Sequence, residues 1–347
     1  MTSAVALQYR ADFVPAPPLP EFVQVEVVGQ CNLRCRMCAI QFRRDGPPHG
    51  PLAFMPFERF TALIAQFPRL RELHLQGLGE PTMHPRFFDM VAHAARQGIR
   101  VSTNSNLTLW SERRARLAMD SGLAELSVSL DAADPAIYER IRVGAHFSKV
   151  LRNLRRVMAA RAAARASLHV RIVMVLMRQN LADLAALVRL AAAEGVRDVF
   201  VQHLCHDFEE QSLPGEYRPM RNYIHDELLE DVPAASIEAA FAAARSAAAA
   251  SGVTLRLPRV GGGARGTVPR PDPRCDWPWR GAYVSYGGEA MPCCMVGTPD
   301  RASFGNMVEQ GVATVWHNTA YRTFRMRLAS PAPPAICRSC SLYRGTF

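Results

Sequence analysis

The sequence predicts an α/β protein, a partial (β/α)6 TIM-like barrel followed by a small C-terminal α+β domain. From Glu21 to Leu204, short apolar runs alternate with helix-length amphipathic segments, the pattern of a parallel sheet built from βα units. These units succeed one another with no sign of a reversal in strand order, which favours an incomplete barrel over an open doubly wound sheet. A loop-like stretch rich in Gly, Pro and Arg, Pro258 to Arg274, then sets off a cysteine-bearing tail.

The elements follow in order. The Pro-rich "VPAPPLP" is an extended lead-in, and "EFVQVEVV" alternates as the first strand. The next five strands are "ELHLQG" (Glu72 to Gly77), "IRVST" (Ile99 to Thr103), "AELSVSL" (Ala124 to Leu130), "LHVRIVMV" (Leu168 to Val175) and "DVFVQHL" (Asp198 to Leu204). Helices are expected between them, among others over Pro85 to Gln97, Trp110 to Asp120 and Leu181 to Glu194. An Ala-rich helix runs from about Val232 to Ser251, and in the tail "AYVSYGGEAMPCC" reads as a hairpin turned by Gly287 and Gly288, with a short helix near Trp316. The expected division is an N-terminal extension over 1–20, the barrel over 21–231, a helical and Gly/Pro-rich linker over 232–274, and the tail domain over 275–347.

At 347 residues the chain can bury a barrel-sized core beside a smaller second one. It contains neither an apolar run long enough to span a membrane nor a signal-peptide pattern, so a cytoplasmic protein with no membrane partner is expected. Nine cysteines in that compartment point to metal or redox chemistry rather than disulfides, because cytosolic thiols stay reduced. The net charge of +10 is carried almost wholly by arginine, Lys149 being the only lysine. The arginines are scattered and lack interleaved aromatics, so a solvated basic surface is expected and a nucleic-acid partner is not.

"QCNLRCRMCAI" places Cys31, Cys35 and Cys38 within eight residues, just past the first strand, where a barrel carries its site. A closed zinc site or an all-cysteine cluster takes four protein ligands. Three thiolates on a cubane cluster leave one iron open to an outside ligand. The CxxxCxxC arrangement resembles the radical S-adenosylmethionine (SAM) superfamily, and the likeness runs from Glu21 to His203. It implies a 4Fe–4S cluster on Cys31, Cys35 and Cys38 whose open iron chelates the amino and carboxylate groups of SAM. It further implies an external one-electron reductant of flavodoxin or ferredoxin type, and a 5'-deoxyadenosyl radical that takes a hydrogen atom from substrate.

Other segments extend the resemblance. "GLGEP" (Gly77 to Pro81) looks like the family's Gly-Gly-Glu motif, so Gly77, Gly79 and Pro81 are expected beside the methionine moiety, with Glu80 accepting from its amino group. "STNSN" resembles the Thr-Asn-Gly segment through Asn104, with Ser105 where glycine is usual. In "SVSLD" a period of two puts Ser127, Ser129 and Asp131 on one face, opposite Val128 and Leu130. Polar groups facing a barrel lumen imply a polar ligand, unless that strand end merely meets water; the resemblance places SAM there. "YERIR" resembles the segment whose arginine pairs with the SAM carboxylate, which implies Arg142. Met37 stands where an aromatic residue often precedes the third cysteine, and it remains able to pack on adenine.

The tail carries Cys275, Cys293, Cys294, Cys337 and Cys340. Four of these thiolates suit zinc or an iron–sulfur cluster equally by donor type. "CDWPW", "GEAMPCC", "FGN", "VW" and the terminal "CRSC" together resemble the SPASM/twitch domains attached to radical SAM enzymes. The full form carries more cysteines and a second auxiliary cluster, so the resemblance implies the shorter form. One auxiliary 4Fe–4S cluster would then sit on Cys275, Cys293, Cys337 and Cys340, with Cys294 spare or exchanging with Cys293.

Cys205, in "HLCHDF" past the sixth strand, lies outside both groups. It is either a small buried hydrophobe or a hydrogen-atom donor to a substrate radical, with His203 and His206 nearby as acid or base. Twitch-bearing relatives oxidise alcohols or epimerise carbons of polyols, sugars and aminocyclitols. Only thirty residues precede Cys31, too few for the leader-gripping module of many peptide-modifying relatives. A small polar substrate undergoing dehydrogenation or epimerisation is therefore the first expectation. A peptide maturase is the alternative, and a non-catalytic iron–sulfur electron carrier is the reading from another class.

Overall fold

A computed structural model of the chain describes residues 16–43, 53–204, 208–259 and 275–344. The expected strands are present as β1 Phe22–Val25, β2 Glu72–Leu75, β3 Arg100–Ser105, β4 Glu125–Ser129, β5 His169–Leu176 and β6 Asp198–His203. Three more, β7 Thr254–Arg256, β8 Gly281–Val284 and β9 Ala290–Met291, complete one sheet ordered β7-β6-β5-β4-β3-β2-β1-β8-β9. Neighbouring strands are parallel except in the β8–β9 hairpin. Helices Phe57–Ile64, Phe87–Ala95, Glu112–Asp120, Phe147–Ala164, Leu184–Ala193 and Ala234–Ser251 each return the chain from one of the first six strands. The result is a partial barrel whose strand order does not close.

The sixth helix and β7 come from the segment that reads as a linker. Ile237, Phe241, Ala244 and Ala248 form the buried stripe of Ala234–Ser251, which packs on Leu184–Ala193. Gly252 ends the helix in the left-handed region, φ 64, and β7 then pairs with β6.

The period of two decides what each face of the sheet meets. Val23, Val25, Leu73, Leu75, Val101, Val128, Ile172 and Val201 join the helices in one apolar core. The opposite, concave face carries two polar rows set by the strand register, Gln24, His74, Ser102 and Glu125 in one and Asn104, Ser127 and Arg171 in the next. At the N-terminal ends Arg100 pairs with Glu125, Arg171 bridges Glu125 and Asp198, and Asp198 also meets His169 and Arg256. This ladder of charges closes the bottom of the lumen, the end of a barrel that serves stability. Among the described residues no helix is long and apolar enough to cross a membrane.

The tail packs around Trp316 and Arg325, both fully buried. The Trp316 indole N–H donates to the carbonyls of Pro17 and Pro18 at 3.0 and 3.2 Å, so the Pro-rich lead-in is tied to the C-terminal unit. Arg325 donates to the carbonyls of Pro278 (2.9 Å) and Trp316 (2.8 Å), and its guanidinium lies 4.1 and 3.9 Å over the rings of Trp316 and Tyr321. Arg325→Met, similar in length and without charge, strands both carbonyls and should cost about 2–4 kcal/mol. Guanidinium denaturation of the full chain checks this, and a loss below about 0.5 kcal/mol would place Arg325 outside the tail's stabilising core.

Candidate active site

The loop leaving β1 carries the three clustered cysteines into a one-turn helix at Ala39–Gln41. Cys35 is buried, while Cys31 and Cys38 are half-buried. Local hydrogen bonds fix the loop: Cys38 N to the Cys35 carbonyl at 3.0 Å, Gln41 Nε2 to the same carbonyl at 2.7 Å, and Arg34 N to the Val143 carbonyl at 2.8 Å. Donors also reach the sulfurs. Leu33 N lies 3.4 Å and Asn106 Nδ2 3.6 Å from Cys31 Sγ, and Arg142 Nη1 lies 3.9 Å from Cys35 Sγ. Burial pushes all three thiols above their ordinary value, Cys38 to about 11, so thiolates there need a cationic partner.

A metal cluster fits that requirement. Among the described residues no three His, Cys, Asp or Glu side chains converge on one ion. Ligands of a single zinc must meet within bonding reach of one centre, whereas cluster thiolates bind separate irons and stand further apart. Buried thiols with N–H donors on their sulfurs and a guanidinium alongside therefore suit an iron–sulfur group.

The turn after β2 packs directly under this loop. A Cβ on Gly77 would overlap the Glu26 side chain, and one on Gly79 would overlap the Val28 carbonyl, so only glycine permits the approach. Pro81 opens a one-turn helix capped by Glu80. The Glu80 carboxylate is buried and already engaged: Oε1 accepts from Thr82 Oγ1 (2.5 Å) and Ser105 Oγ (2.7 Å), Oε2 from Asn106 N (2.8 Å). Burial raises its pKa and these bonds pull it back. A SAM amino group expected on Glu80 would thus meet a carboxylate whose open acceptor capacity lies mainly on Oε2. The serine where glycine is usual, Ser105, is one of the groups holding that carboxylate.

Asn104, Ser127 and Ser129 lie on the concave side, Asn104 paired in register with Ser127. Asp131 has a different part. Its Oδ2 takes Arg142 Nε at 2.6 Å and its Oδ1 takes Val175 N at 2.8 Å, so it orients Arg142 and has no oxygen left unengaged for a ligand. Arg142, just past helix Pro135–Ile141, is thereby held with one nitrogen toward Cys35. The sequence also passed over Asn106, which bonds Cys31 Sγ and Asn32 together, and Tyr138, whose buried Oη has no hydrogen-bond partner in the described residues. Their types are too common to single out without the fold.

Cys205 and His206 lie outside the described residues. His203 shares its strand face with Val199 and Val201 rather than with the lumen-side Gln202, and its Nε2 meets the Arg259 carbonyl at 3.1 Å. It is therefore a buried structural histidine rather than an acid or base in the lumen. His74 faces the lumen, 2.8 Å from Ser102 Oγ, with burial lowering its pKa to about 4.

In the tail, Cys275, Cys293, Cys337 and Cys340 line one cavity walled by Pro278, Phe324, Leu328, Ile336 and other apolar groups. Cys294, next to Cys293, is not on its wall. Burial, then the nearness of the other thiols, pushes Cys275 and Cys337 well up and Cys293 to about 12. Four thiols in an apolar pocket fit a fully ligated cluster.

Known proteins agree with this arrangement. The Radical SAM superfamily profile matches residues 25–191, and that of SPASM, an iron–sulfur cluster-binding domain, matches 275–341. The tungsten-containing aldehyde ferredoxin oxidoreductase cofactor-modifying protein of Pyrococcus furiosus is 24% identical over 339 residues, 93% of this chain and 87% of that protein. PqqA peptide cyclase of Rhodopseudomonas palustris is 27% identical over 179 residues, a match spanning 50% of this chain and 44% of that one. The structure of Streptococcus suis SuiB bound to precursor peptide SuiA shares the fold with a TM-score of 0.64 at 13% identity, over 95% of this chain and 71% of SuiB. The chain belongs to the radical SAM superfamily, an enzyme family whose cofactors are a 4Fe–4S cluster and SAM, and it carries a C-terminal SPASM domain for auxiliary iron–sulfur binding.

Proposed function

We propose that this enzyme modifies a peptide by hydrogen-atom abstraction from one of its residues. The observation that carries the reading is the lumen: a polar concave face, reached between the unclosed edges of the sheet, directly beside Arg142 and the cysteine loop. An extended chain can enter such a groove from the side and leave the rest of its length outside. The peptide substrates named for PqqA cyclase and SuiB support this alternative over the small polyol. The polyol expectation leaned on the thirty residues before Cys31, which bear on a leader-gripping module and not on what the lumen holds. The relative matched over most of its length is named for modifying a cofactor, so a cofactor bound in another protein is the second reading.

The cluster on Cys31, Cys35 and Cys38, when bound and reduced, supplies the electron that splits SAM into methionine and a 5'-deoxyadenosyl radical. The chain's own residues bind and orient. Arg142, steered by Asp131, offers its remaining guanidinium nitrogens to a carboxylate next to the cysteine loop. Gly77 and Gly79 bring backbone close enough to hold the methionine moiety. Asn104, Ser127 and Ser129 offer amide and hydroxyl groups toward the ribose. The apolar wall around the tail cysteines keeps water from an acceptor that would take the substrate's remaining electron.

Replacing Cys31, Cys35 or Cys38 by Ala should reduce dithionite-driven 5'-deoxyadenosine to background, while Cys275→Ala retains part of it; full yield from Cys35→Ala would remove the cluster assignment. Arg142→Lys should keep the iron content and weaken SAM binding roughly tenfold or more, as loss of a charge-assisted fork does. Equilibrium dialysis with labelled SAM measures it, and an unchanged Kd would take Arg142 out of the site. For the substrate class, an extract of the source organism grown in deuterium oxide should be separated by dialysis. Deuterium arriving in 5'-deoxyadenosine from the protease-sensitive macromolecular fraction is expected. Transfer from the diffusible fraction alone would return the enzyme to small-molecule chemistry.

A further inference from the structure

We infer that the buried pair Arg301–Glu210 sets the reduction potential of the tail's iron–sulfur cluster, acting as a positioning and charge-placing device. The inference rests on the reading of Cys275, Cys293, Cys337 and Cys340 as that cluster's ligands. The pair joins two distant parts of the chain: Glu210 follows β6 at the barrel mouth, and Arg301 closes the loop that begins at Cys293. Both side chains are almost fully buried, at 1% and 2% exposure. Arg301 Nε donates to Glu210 Oε1 at 2.9 Å, and Nη2 donates to the same oxygen. Glu210 Oε2 is buried with no hydrogen-bond partner in the described residues.

The setting is built, not incidental. Phe208 is held at φ 56, an uncommon angle for a bulky side chain, with its ring 4.3 Å beneath the Arg301 guanidinium and parallel to Tyr217. Tyr217 Oη in turn meets Thr298 Oγ1 at 2.9 Å and the Asp300 carboxylate at 3.1 and 3.2 Å. The barrel-side segment and the cysteine loop are therefore clasped by an ion pair, a ring stack and a hydroxyl network.

Arg301 reaches the wall of the cavity lined by the four tail cysteines directly, and Glu210 reaches it through Arg301. Arg301 Nη1 donates to the carbonyls of Met295 (3.4 Å) and Val296 (2.8 Å). Val296 N–H in turn donates to the Cys293 carbonyl at 3.3 Å, and Met295 and Val296 both line the cavity that Cys293 shares with Cys275, Cys337 and Cys340. A guanidinium on those two carbonyls sets a positive charge and polarised amides on the wall of that cavity. Glu210 places a buried carboxylate on that same guanidinium, and its Oε2 has no hydrogen bond in the described residues to spread the charge. Hydrogen bonds and positive charge at cluster sulfurs favour the reduced state, and an uncompensated carboxylate disfavours it.

The two residues should therefore have opposite effects when neutralised, which a purely structural pair would not. The experiment is an EPR-monitored redox titration of the anaerobically reconstituted full chain, with iron and sulfide counted in every sample. It is repeated in a background with Cys31, Cys35 and Cys38 replaced by Ala, so that only the tail cluster reports. Arg301→Gln should move the tail midpoint to more negative potential, Glu210→Gln should move it to more positive potential, and neither should move the first cluster. Arg301→Lys keeps the charge and should lie near the wild type; should Arg301→Gln shed tail iron, this variant and Glu210→Gln carry the test. Shifts of the same sign, or unchanged midpoints with full iron, would overturn the inference. A wild-type chain whose tail cysteines hold no iron would overturn the cluster reading as well, and the iron count tells the two failures apart.

Discussion

The site depends on one buried carboxylate. Glu26, one residue past β1, takes both guanidinium nitrogens of Arg43 at 2.8 and 3.0 Å and the Leu78 N–H at 2.9 Å. Both charged side chains are wholly inaccessible to solvent. Removing two charges from water costs several kcal/mol each, and even a good pair does little more than recover it. What the arrangement secures is geometry. Arg43 lies beyond the cysteine loop and Leu78 within the glycine-rich turn, so a single group fixes the end of β1, the far side of the thiol loop and the turn under it. Gly77 is part of the same device, because any side chain there would displace Glu26. Arg43 then lies 5.1 Å from the Tyr286 ring centroid, and Gly29 leaves that ring its space, which carries the constraint into the C-terminal hairpin.

Away from that anchor the sheet separates two kinds of chemistry by strand alternation. One face meets helices and is made of Val, Leu and Ile. The other has hydroxyls, amides and charges, with Val173, Val175 and Phe200 among them. A lumen of this kind is expensive unless its groups are paired. At the bottom they pair with one another: burial alone would raise Asp198, but bonds from Arg171 and His169 and the charges of Arg171 and Arg256 more than reverse this and hold it below its usual value. Toward the top the pairing thins, and Asn104, Ser127 and Ser129 keep capacity for a ligand. The closed bottom and open top therefore follow from where the charges lie along each strand.

The cysteine spacing was legible because it is short-range chemistry: eight residues contain the whole first ligand set. The six strands were legible because alternation and β-branched content repeat locally. Long-range pairing was not. Glu26 and Arg43 are an ordinary glutamate and arginine until the loop folds back, and Arg301 and Glu210 are 91 residues apart. For Asp131 alternation gives the face, while its partner, Arg142, comes from the end of the next helix and is not visible locally. The sixth helix was seen but assigned to a linker, since a stripe of Ala with Ile237 and Phe241 gives little contrast between its faces. That Cys293 lines the tail cavity and Cys294 does not is a matter of side-chain direction, which adjacent identical residues cannot reveal in sequence.

The tail is joined to the barrel by sheet hydrogen bonding and not by a tether alone. β8 runs beside β1 with Phe22 opposite Gly281 and Val25 opposite Val284, and Glu26 N–H donates to the Val284 carbonyl at 2.9 Å. The strand that delivers the first cysteine loop, β1, is therefore separated by β8 alone from β9, which leads into Cys293. A slip by one residue would turn Val23, Val25, Ala282 and Val284 out of the core, so the register is strongly fixed. Electron exchange over a distance falls steeply with separation, and a hinged domain would blur it. Continuous pairing through β1 instead holds the two cysteine sets at one separation. The clasp from Phe208 and Glu210 to Arg301 adds a second attachment on the opposite side of the lumen. The tail is thus tied to the barrel at β1 by strand pairing and at Glu210 by an ion pair, besides the Trp316 bonds to the Pro-rich lead-in.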